Sequence, residues 1–385
     1  MHQISGKMNM KQIFDIAIIG SGPAGLTAAK IAAEKGKSVI VLERNEEAAK
    51  KIYATGNGRC NFMNKNMEDA DEVLRYCSSI GIIGSEDEDG RLYPRNHQAA
   101  SVVTMLTYAA KRAGSELMTN ALVTGIEKKA GCFELAVQIN GQAENIKSDK
   151  VLIATGGKAG IQYGCYGDGY KWAQQMGHNV VKPIPALTGL ECAEDIGMLH
   201  GVRLAAKASF LCNDELIAED CGEIQFTRDG ISGICVMNLS RYLRLEEGKT
   251  FVLSLDMYPE YSYEELLALF RHQIQAAGCA MEGLVPKQMH DYLHTRISPE
   301  EHNPFTMAKL SKNLRFRITG SKGWKTAQVT SGGVSLDEIT DGCESKFVPG
   351  LFFAGEVLDY DGPCGGYNIG FAIKTGLKAG EKMTE

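Results

Sequence analysis

No basic stretch stands out in this chain of 385 residues: 41 Lys and Arg stand against 47 Asp and Glu, for a net charge of −6. That balance, with a pI near 5.9, gives no electrostatic footprint for nucleic acid or an anionic membrane surface. No run of about 18 apolar residues is present to span a bilayer. The opening "MHQISGKMNMKQIF" lacks the apolar stretch of a secretory signal, so the expected compartment is the cytoplasm. Cysteine is present, 11 residues in all, but no two stand at C-x-x-C spacing. The odd count and the missing spacing speak against a structural zinc site, an iron–sulfur cluster or a dithiol redox pair.

What the chain has in excess is glycine, 43 residues, gathered in clusters without a fixed period. Its length is too great for one core, so two or three domains are expected. The first cluster lies in "FDIAIIGSGPAGLTAAKIAAEKGKSVIVLERN". The apolar run Phe14 to Ile19 reads as a buried parallel strand. Gly20, Gly22 and Gly25 follow in G-x-G-x-x-G register, with Pro23 in the first turn of a helix. Gly36 ends that helix, "SVIVLE" is a second buried strand, and Glu43 closes it. In this arrangement Gly20 makes the tight turn, Gly22 lets backbone approach a pyrophosphate, and Gly25 lets helix pack on strand. The phosphates meet the positive end of the helix dipole, and Glu43 accepts from a ribose hydroxyl. Strand, loop, helix, strand and acid occur in order, so this is a dinucleotide site.

Glycine-rich segments return at 54–64, 154–169 and 354–370. A cofactor touched by four segments spread over the whole chain is long and enclosed, which suits FAD. In "FAGEVLDYDGPCGGYNIGFAIKTG" the helix opening near Gly366 would aim its N-terminus at the flavin pyrimidine edge, where negative charge develops on reduction. One G-x-G-x-x-G leaves no second nicotinamide domain, so NAD(P)H would be a transient co-substrate. Nothing demands a covalent flavin linkage, and the FAD is expected to be non-covalent.

With "GSGPAG", "GNGRCNFMN", "ATGGKAG", "GDGY", "GEIQFTRDGISG", "AQVTSGGV" and "FAGEVLDYDGPCGGYNIGFA" in view, the chain resembles one bacterial family of two-dinucleotide-binding-fold flavoproteins. That family is the one of the bile-acid Δ4,6-reductase flavoproteins, also labelled aminoacetone-oxidase-like. The resemblance implies an α/β fold: a Rossmann-like FAD-binding domain with an inserted β-barrel-like domain and a small helical domain. The boundaries expected are 1–185 with 325–385 for the first, 186–260 with 313–324 for the second, and 261–312 for the third.

Position by position, the resemblance gives Gly20, Gly22, Ala24, Gly25 and Glu43 to the ADP half of FAD. Gly56, Gly58, Arg59, Cys60 and Asn61 match a loop beside the flavin. Val123 falls where backbone meets adenine, and Thr155, Gly156 and Gly157 lie on the adenosine–pyrophosphate side. Gly355, Glu356, Asp359, Gly366, Tyr367, Asn368 and Ile369 match the flavin cradle, with Gly355 and Glu356 toward the ribityl–phosphate. The chain departs from the family at Asn57, where glycine is usual, at Cys165 and Tyr166, where a Ser/Thr-like pair is usual, and at Ile234, where proline is common.

The function implied is an NAD(P)H-linked oxidoreductase that reduces a C=C bond of an unsaturated ketone, steroids and bile acids included, by hydride from flavin N5. Tyr163, Tyr166 and Tyr367 are candidate proton donors, and Arg59 a candidate to polarise a carbonyl. Two rivals remain: a flavin oxidase of a small amine or aminoketone, and a flavin-containing accessory protein of RNA modification. The expected partner is a small-molecule substrate, with neither nucleic acid nor membrane. In the "VTSGGV" segment, Thr330 and Ser331 stand where related dicarboxylate reductases carry a histidine, which disfavours a dicarboxylate.

The remaining stretches read more coarsely. Asn140–Gly141 marks a hairpin turn. Ser262 and Glu265 form a capping box, with Leu266, Phe270 and Ile274 recurring every four residues. A second helix is expected around 286–296. His290 and His294 stand at i, i+4, a ligand spacing, but without the glutamate of H-E-x-x-H. The expectation is a solvated helix face and no metal.

Overall fold

The computed structural model describes residues 13–385 apart from Ala130 and Cys279, so the part of the opening stretch up to residue 12 lies outside it. The described residues form two compact units, 13–184 with 329–385, and 185–328.

In the first unit, β1 (Ile13–Ile19), α1 (Pro23–Glu34) and β2 (Val39–Leu42) follow the expected order. β1 runs parallel to β2 on one side and to the long strand Gln142–Ile153 on the other. Its side chains alternate between two cores. Ile16 and Ile18 face α1 and the C-terminal helix, while Ala17 and Ile19 face the opposite layer with Trp172 and Phe353. Burial on both faces is why the run is continuously apolar.

Strand Gln142–Ile153 does two jobs. Its first half pairs antiparallel with Cys132–Ile139, and its second half pairs parallel with β1 and with Leu351–Phe353. The Asn140–Gly141 turn has φ of 49° and 82°, the double left-handed pair of a type I′ hairpin. The C-terminal helix Tyr367–Lys382 lies along α1. Side chains at Gly376 and Gly380 would run into Ala24 and Ala28 backbone, so small residues set that close packing. On the opposite layer His178 is locked. Its Nδ1 is 3.1 Å from Glu338 and its Nε2 2.7 Å from the Ser345 hydroxyl. Ser345 Oγ already accepts the N–H groups of Phe347 and Val348, so it donates to Nε2 and the imidazole is neutral. Burial holds its pKa below the ordinary value, with Glu338 opposing.

The second unit is built on a closed six-stranded barrel. Ala206, Ala208, Phe210, Ile224, Phe226, Leu253, Leu255, Phe316 and Ile318 fill one core. Leu266, Phe270, Met289, Tyr292 and Leu293 of the helices belong to the same core. The small helical domain thus shares one core with the barrel.

The Ser262 capping box is present, with Ser262 Oγ accepting from Glu265 N at 3.2 Å and Glu265 returning to Ser262 N at 2.8 Å. Ile274 is corrected to the exposed side, at 37%. Four-residue steps gain about 40° each on a 3.6-residue helix, so the third member has left the buried face. A further helix, Pro304–Lys312, was missed; its signal is Asn303, whose side chain caps Phe305 and Thr306, followed by proline at the first position. Ile234 opens the helix Ile234–Ser240. That first position is where a proline also fits, which accounts for the departure from the family pattern. No helix among the described residues is long and apolar enough to cross a membrane.

Candidate active site

Three glycines in the β1–α1 turn answer to different neighbours. Gly20 has φ 102°, and a Cβ there would collide with the Ala154 carbonyl. A Cβ on Gly25 would collide with the Gly20 carbonyl. A Cβ on Gly22 would meet no protein atom within 4 Å. The fold needs the first and third glycines; the second keeps open a space that the protein itself does not fill. Gly22 caps α1 without a side-chain hydrogen bond, and Pro23 follows it. The first-turn N–H groups and the positive end of the dipole are thus left for an anion. These features fit the pyrophosphate of FAD.

Glu43 is buried and its carboxylate is engaged. Oε2 accepts from Ser21 N at 3.1 Å and Ser21 Oγ at 2.5 Å; Oε1 accepts from Asn45 N at 2.9 Å and Asn45 Nδ2 at 2.8 Å. Four donors match the four lone-pair positions of a carboxylate. Glu43 braces the turn against the end of β2, and a ribose hydroxyl donating to it would take the place of Ser21 Oγ. Val123, buried, lies two residues along from Ala121, whose N–H donates to the Glu43 carbonyl at 2.8 Å.

The segment 50–61 is a chain of tight turns. Thr55 is extended, Gly56 and Asn57 are left-handed at φ 55°, and Cys60 has φ 57°. Asparagine is among the residues that tolerate this region, so Asn57 keeps the backbone that the family's glycine would give. Arg59 is exposed, with Nε donating to the Gly56 carbonyl at 3.3 Å and its guanidinium 5.0 Å from the Tyr93 ring. Cys60 is fully buried, its thiol pushed up to about 11 by burial. That is an inert thiol. Gly58 and Asn61 complete the turns, with Asn61 N 3.2 Å from where a Gly56 Cβ would stand.

The C-terminal cradle meets this segment through the short strand Met63–Asn64. Gly366, φ 99°, starts the C-terminal helix without a side-chain cap, and a Cβ there would press into the Met63 carbonyl at 2.5 Å. Asn64 Nδ2 donates to the Gly365 carbonyl at 3.0 Å. Asn368 closes the loop by bonding both the N–H and the carbonyl of Gly362. Tyr367 is half-buried at the helix start, Ile369 packs on the core, and Asp359 N donates to the Val334 carbonyl. Gly355, φ 78°, donates its N–H to Thr375 Oγ1 at 2.9 Å.

Glu356 braces two segments of the first unit. Its Oε1 accepts from Thr330 N at 2.9 Å and its Oε2 binds Lys51 Nζ at 2.6 Å. Thr330, fully buried, accepts from Lys158 N and Ala159 N through its hydroxyl. Thr155 is half-buried, Gly156 has φ 70°, and any side chain on Gly157 would overlap Thr330. Burial acts against the Lys51 charge, but the Glu356 carboxylate holds its pKa above the ordinary value. Lys51, three quarters buried, spends one of its three N–H donors on Glu356. Its pairing with Glu356 has no sequence signal, because a lysine before a glycine-rich loop carries no pattern of its own.

Tyr163 and Tyr166 are held by the residues that follow Glu43. Asn45 Nδ2 donates to the Tyr163 carbonyl at 3.1 Å, and the Arg44 guanidinium lies 4.8 Å from the Tyr166 ring while pairing with Asp168 at 2.7 Å. Arg44 and Asn45 follow Glu43 directly in the chain, so these contacts tie the 163–168 turn to the end of β2. Cys165 is buried between them and Lys51, its thiol pushed up to about 11.

The sequence matches the HI0933-like protein Rossmann domain family over residues 14–79 and 68–382. It is 33% identical to the 3-dehydro-bile acid delta(4,6)-reductase of Clostridium scindens, over 96% of this chain and 99% of that one. It is 28% identical to the ribosomal RNA dihydrouridine synthase of Escherichia coli, over 93% and 95% of the two chains. The fold resembles the open conformation of a flavocytochrome c3 fumarate reductase, with TM-score 0.56 and 16% identity over 98% of this chain and 79% of that one. It also resembles a 3-ketosteroid-delta4-(5alpha)-dehydrogenase from Rhodococcus jostii RHA1, with TM-score 0.54 and 14% identity over 99% of each.

Proposed function

The chain belongs to the HI0933-like Rossmann-domain family of FAD-dependent oxidoreductases, and from that premise we propose that it reduces an alkene conjugated to a carbonyl, with NAD(P)H as electron donor. The observation that carries this reading is the full-length similarity to the Clostridium scindens enzyme. That enzyme's name describes a dienone, a 3-keto group conjugated to double bonds. The dihydrouridine synthases at 28% identity saturate uracil, whose C5=C6 bond is likewise conjugated to a carbonyl. One reaction class covers both relatives.

When bound, FAD supplies the hydride. The chain's own part is positional and electrostatic. The α1 N-terminus with Gly22 holds the pyrophosphate, and the C-terminal helix N-terminus at Gly366 stabilises negative charge on the flavin. Arg59 polarises the carbonyl conjugated to the alkene, and the Tyr367 hydroxyl gives the proton to the carbon next to that carbonyl. The substrate we favour is a small enone, steroid-like among them, because the net charge of −6 opposes rRNA.

The test is anaerobic bleaching of the purified yellow protein by NADH or NADPH, then re-oxidation by 3-keto-4,6-diene steroids, simpler enones or rRNA lacking dihydrouridine. Re-oxidation by a steroid dienone supports the reading. Re-oxidation by rRNA alone moves the substrate to nucleic acid, and turnover only with O₂, yielding peroxide, makes the protein an oxidase.

A further inference from the structure

In the barrel unit, three imidazoles converge that the sequence presents as an i, i+4 pair and a distant third. His294 Nε2 is 3.1 Å from His290 Nε2, and His294 Nδ1 is 3.4 Å from His302 Nδ1. Their partners fix where each proton sits. His302 Nε2 faces two backbone carbonyls, those of His294 and Ile297, both at 3.2 Å. A carbonyl only accepts, so His302 Nε2 carries hydrogen and its Nδ1 offers a lone pair. His294 Nδ1 must then be the N–H that donates to it, which leaves His294 Nε2 as a lone pair. His290 Nδ1 is 3.3 Å from the Asp291 carboxylate and donates to it, which directs the second nitrogen, Nε2, toward His294.

Two Nε2 atoms thus point at one another, and either a shared proton or a cation must lie between them. Two imidazole nitrogens at 2.0–2.1 Å from a tetrahedral metal stand about 3.3 Å apart, close to the separation here. Each candidate ligand already has the partner on its far nitrogen that metal-bound histidines require, Asp291 for His290 and His302 for His294. Glu282 Oε2 is 3.7 Å from His290 Nε2, and at 55% side-chain exposure Glu282 is free to swing. Among the described residues no three such groups already meet at one point; the two imidazoles form one edge of a coordination shell, and Glu282 is within reach to add a third ligand.

We propose that His290 Nε2 and His294 Nε2, joined by Glu282, form a zinc site in the barrel unit, with Asp291 and His302 orienting the two imidazoles. Imidazole with one carboxylate suits Zn²⁺ among divalent ions. The ion would fasten the loop that carries Glu282 to the helix Lys287–Thr295. It would displace the shared proton, so affinity falls with pH.

The experiment is calorimetric titration of chelator-stripped holoenzyme with ZnCl₂, beside the His290→Ala, His294→Ala and His302→Ala variants, with circular dichroism to confirm that each folds. One equivalent should bind, with proton release. His290→Ala and His294→Ala should each weaken binding at least about tenfold, and His302→Ala by about 10–100-fold. Wild-type protein loaded with Co²⁺ gives a readout that needs no variant. Ligand-field bands without a thiolate charge-transfer band support the site. A thiolate band, no stoichiometric binding, or equal binding in a His290→Ala/His294→Ala double variant overturns it.

Discussion

The two units differ in what their chemistry is made of. The candidate site of the first unit is made of backbone: Gly20, Gly25, Gly355 and Gly366 let chain segments approach one another closely, and Gly22 leaves open a space that the protein does not fill. The barrel unit has an ordinary side-chain core around Phe226 and Phe316, and it carries a cluster of three imidazoles. A site made of backbone is written in glycine spacing and tolerates almost no added atom. A site made of side chains depends on tertiary approach and leaves little trace in a linear pattern.

The sharpest way to break that contrast is within a single turn. Gly25→Ala should be the most damaging change. Its methyl meets the carbonyl of Gly20, a residue whose N–H donates to the Leu42 carbonyl at 2.9 Å, so a cost of at least about 3 kcal/mol is expected, at the upper end for overpacking. Gly22→Ala should leave the melting temperature of the FAD-free protein unchanged, because its methyl meets no protein atom. It should still lower FAD affinity by about a hundredfold, or about 2.7 kcal/mol. Thermal melts of both apoproteins and FAD titrations separate the two effects. An equal loss of stability in both variants would show that Gly22 also serves the fold.

Lys51→Met comes next. It strands the Glu356 carboxylate among buried groups, and breaking one side of such a pair costs about 3–5 kcal/mol when fully buried. Lys51 keeps a quarter of its side-chain surface exposed, so about 3 kcal/mol is expected from urea melts. Lys51→Met with Glu356→Gln should recover part of it, since no charge is then left unpaired. Absence of recovery would mean that Lys51 acts alone.

These residues also mark how far the sequence could be read. The fingerprint, the Asn140–Gly141 hairpin and the Ser262 cap were legible because each is a local pattern whose physics closes within a few residues. Lys51 and Glu356 lie 305 positions apart, and nothing in either segment announces the other. "VTSGGV" shows in sequence only the absence of a histidine; that the Thr330 hydroxyl accepts from the Lys158 and Ala159 N–H groups comes from tertiary approach. Tyr163 and Tyr166 stand in sequence as candidate proton donors, but their contacts to Asn45 and Arg44, more than a hundred positions away, leave no local pattern. His290 and His294 were visible as spacing alone; what gives them meaning is His302, fixed by carbonyls across a turn.

Acid should test the two units through one residue type. His178 in the first unit and His294 in the barrel unit both have folded pKa values below the ordinary 6.5, with burial the main cause in each. A depressed folded pKa means that the unfolded chain takes up the proton first. The stability is therefore fully present above about pH 6.5 and is lost as pH falls from there through the folded value. His178→Gln should flatten the fall of apoprotein stability just below pH 6.5, and His294→Gln should flatten it separately. Guanidinium melts at a series of pH values would read the slopes; a slope unchanged by His178→Gln would place the titrating group elsewhere.

The smallest effect belongs to Asn57. Left-handed backbone costs an ordinary L-residue about 1–2 kcal/mol, and asparagine less because its side chain bonds locally. Glycine removes that strain but raises the entropy of the unfolded chain by about 0.5–1 kcal/mol. For Asn57→Gly the two terms oppose each other, and the apoprotein should shift by no more than about 0.5 kcal/mol in either direction. Asn57→Val has no such offset. A β-branched side chain at φ 55° gains no local hydrogen bond and crowds its own backbone, so it should cost more than Asn57→Gly by at least about 1 kcal/mol. Melts of the two variants side by side check this. If valine proves as harmless as glycine, the loop relaxes out of its left-handed turn, and the backbone site of the first unit is less fixed at this edge than at Gly20 and Gly25.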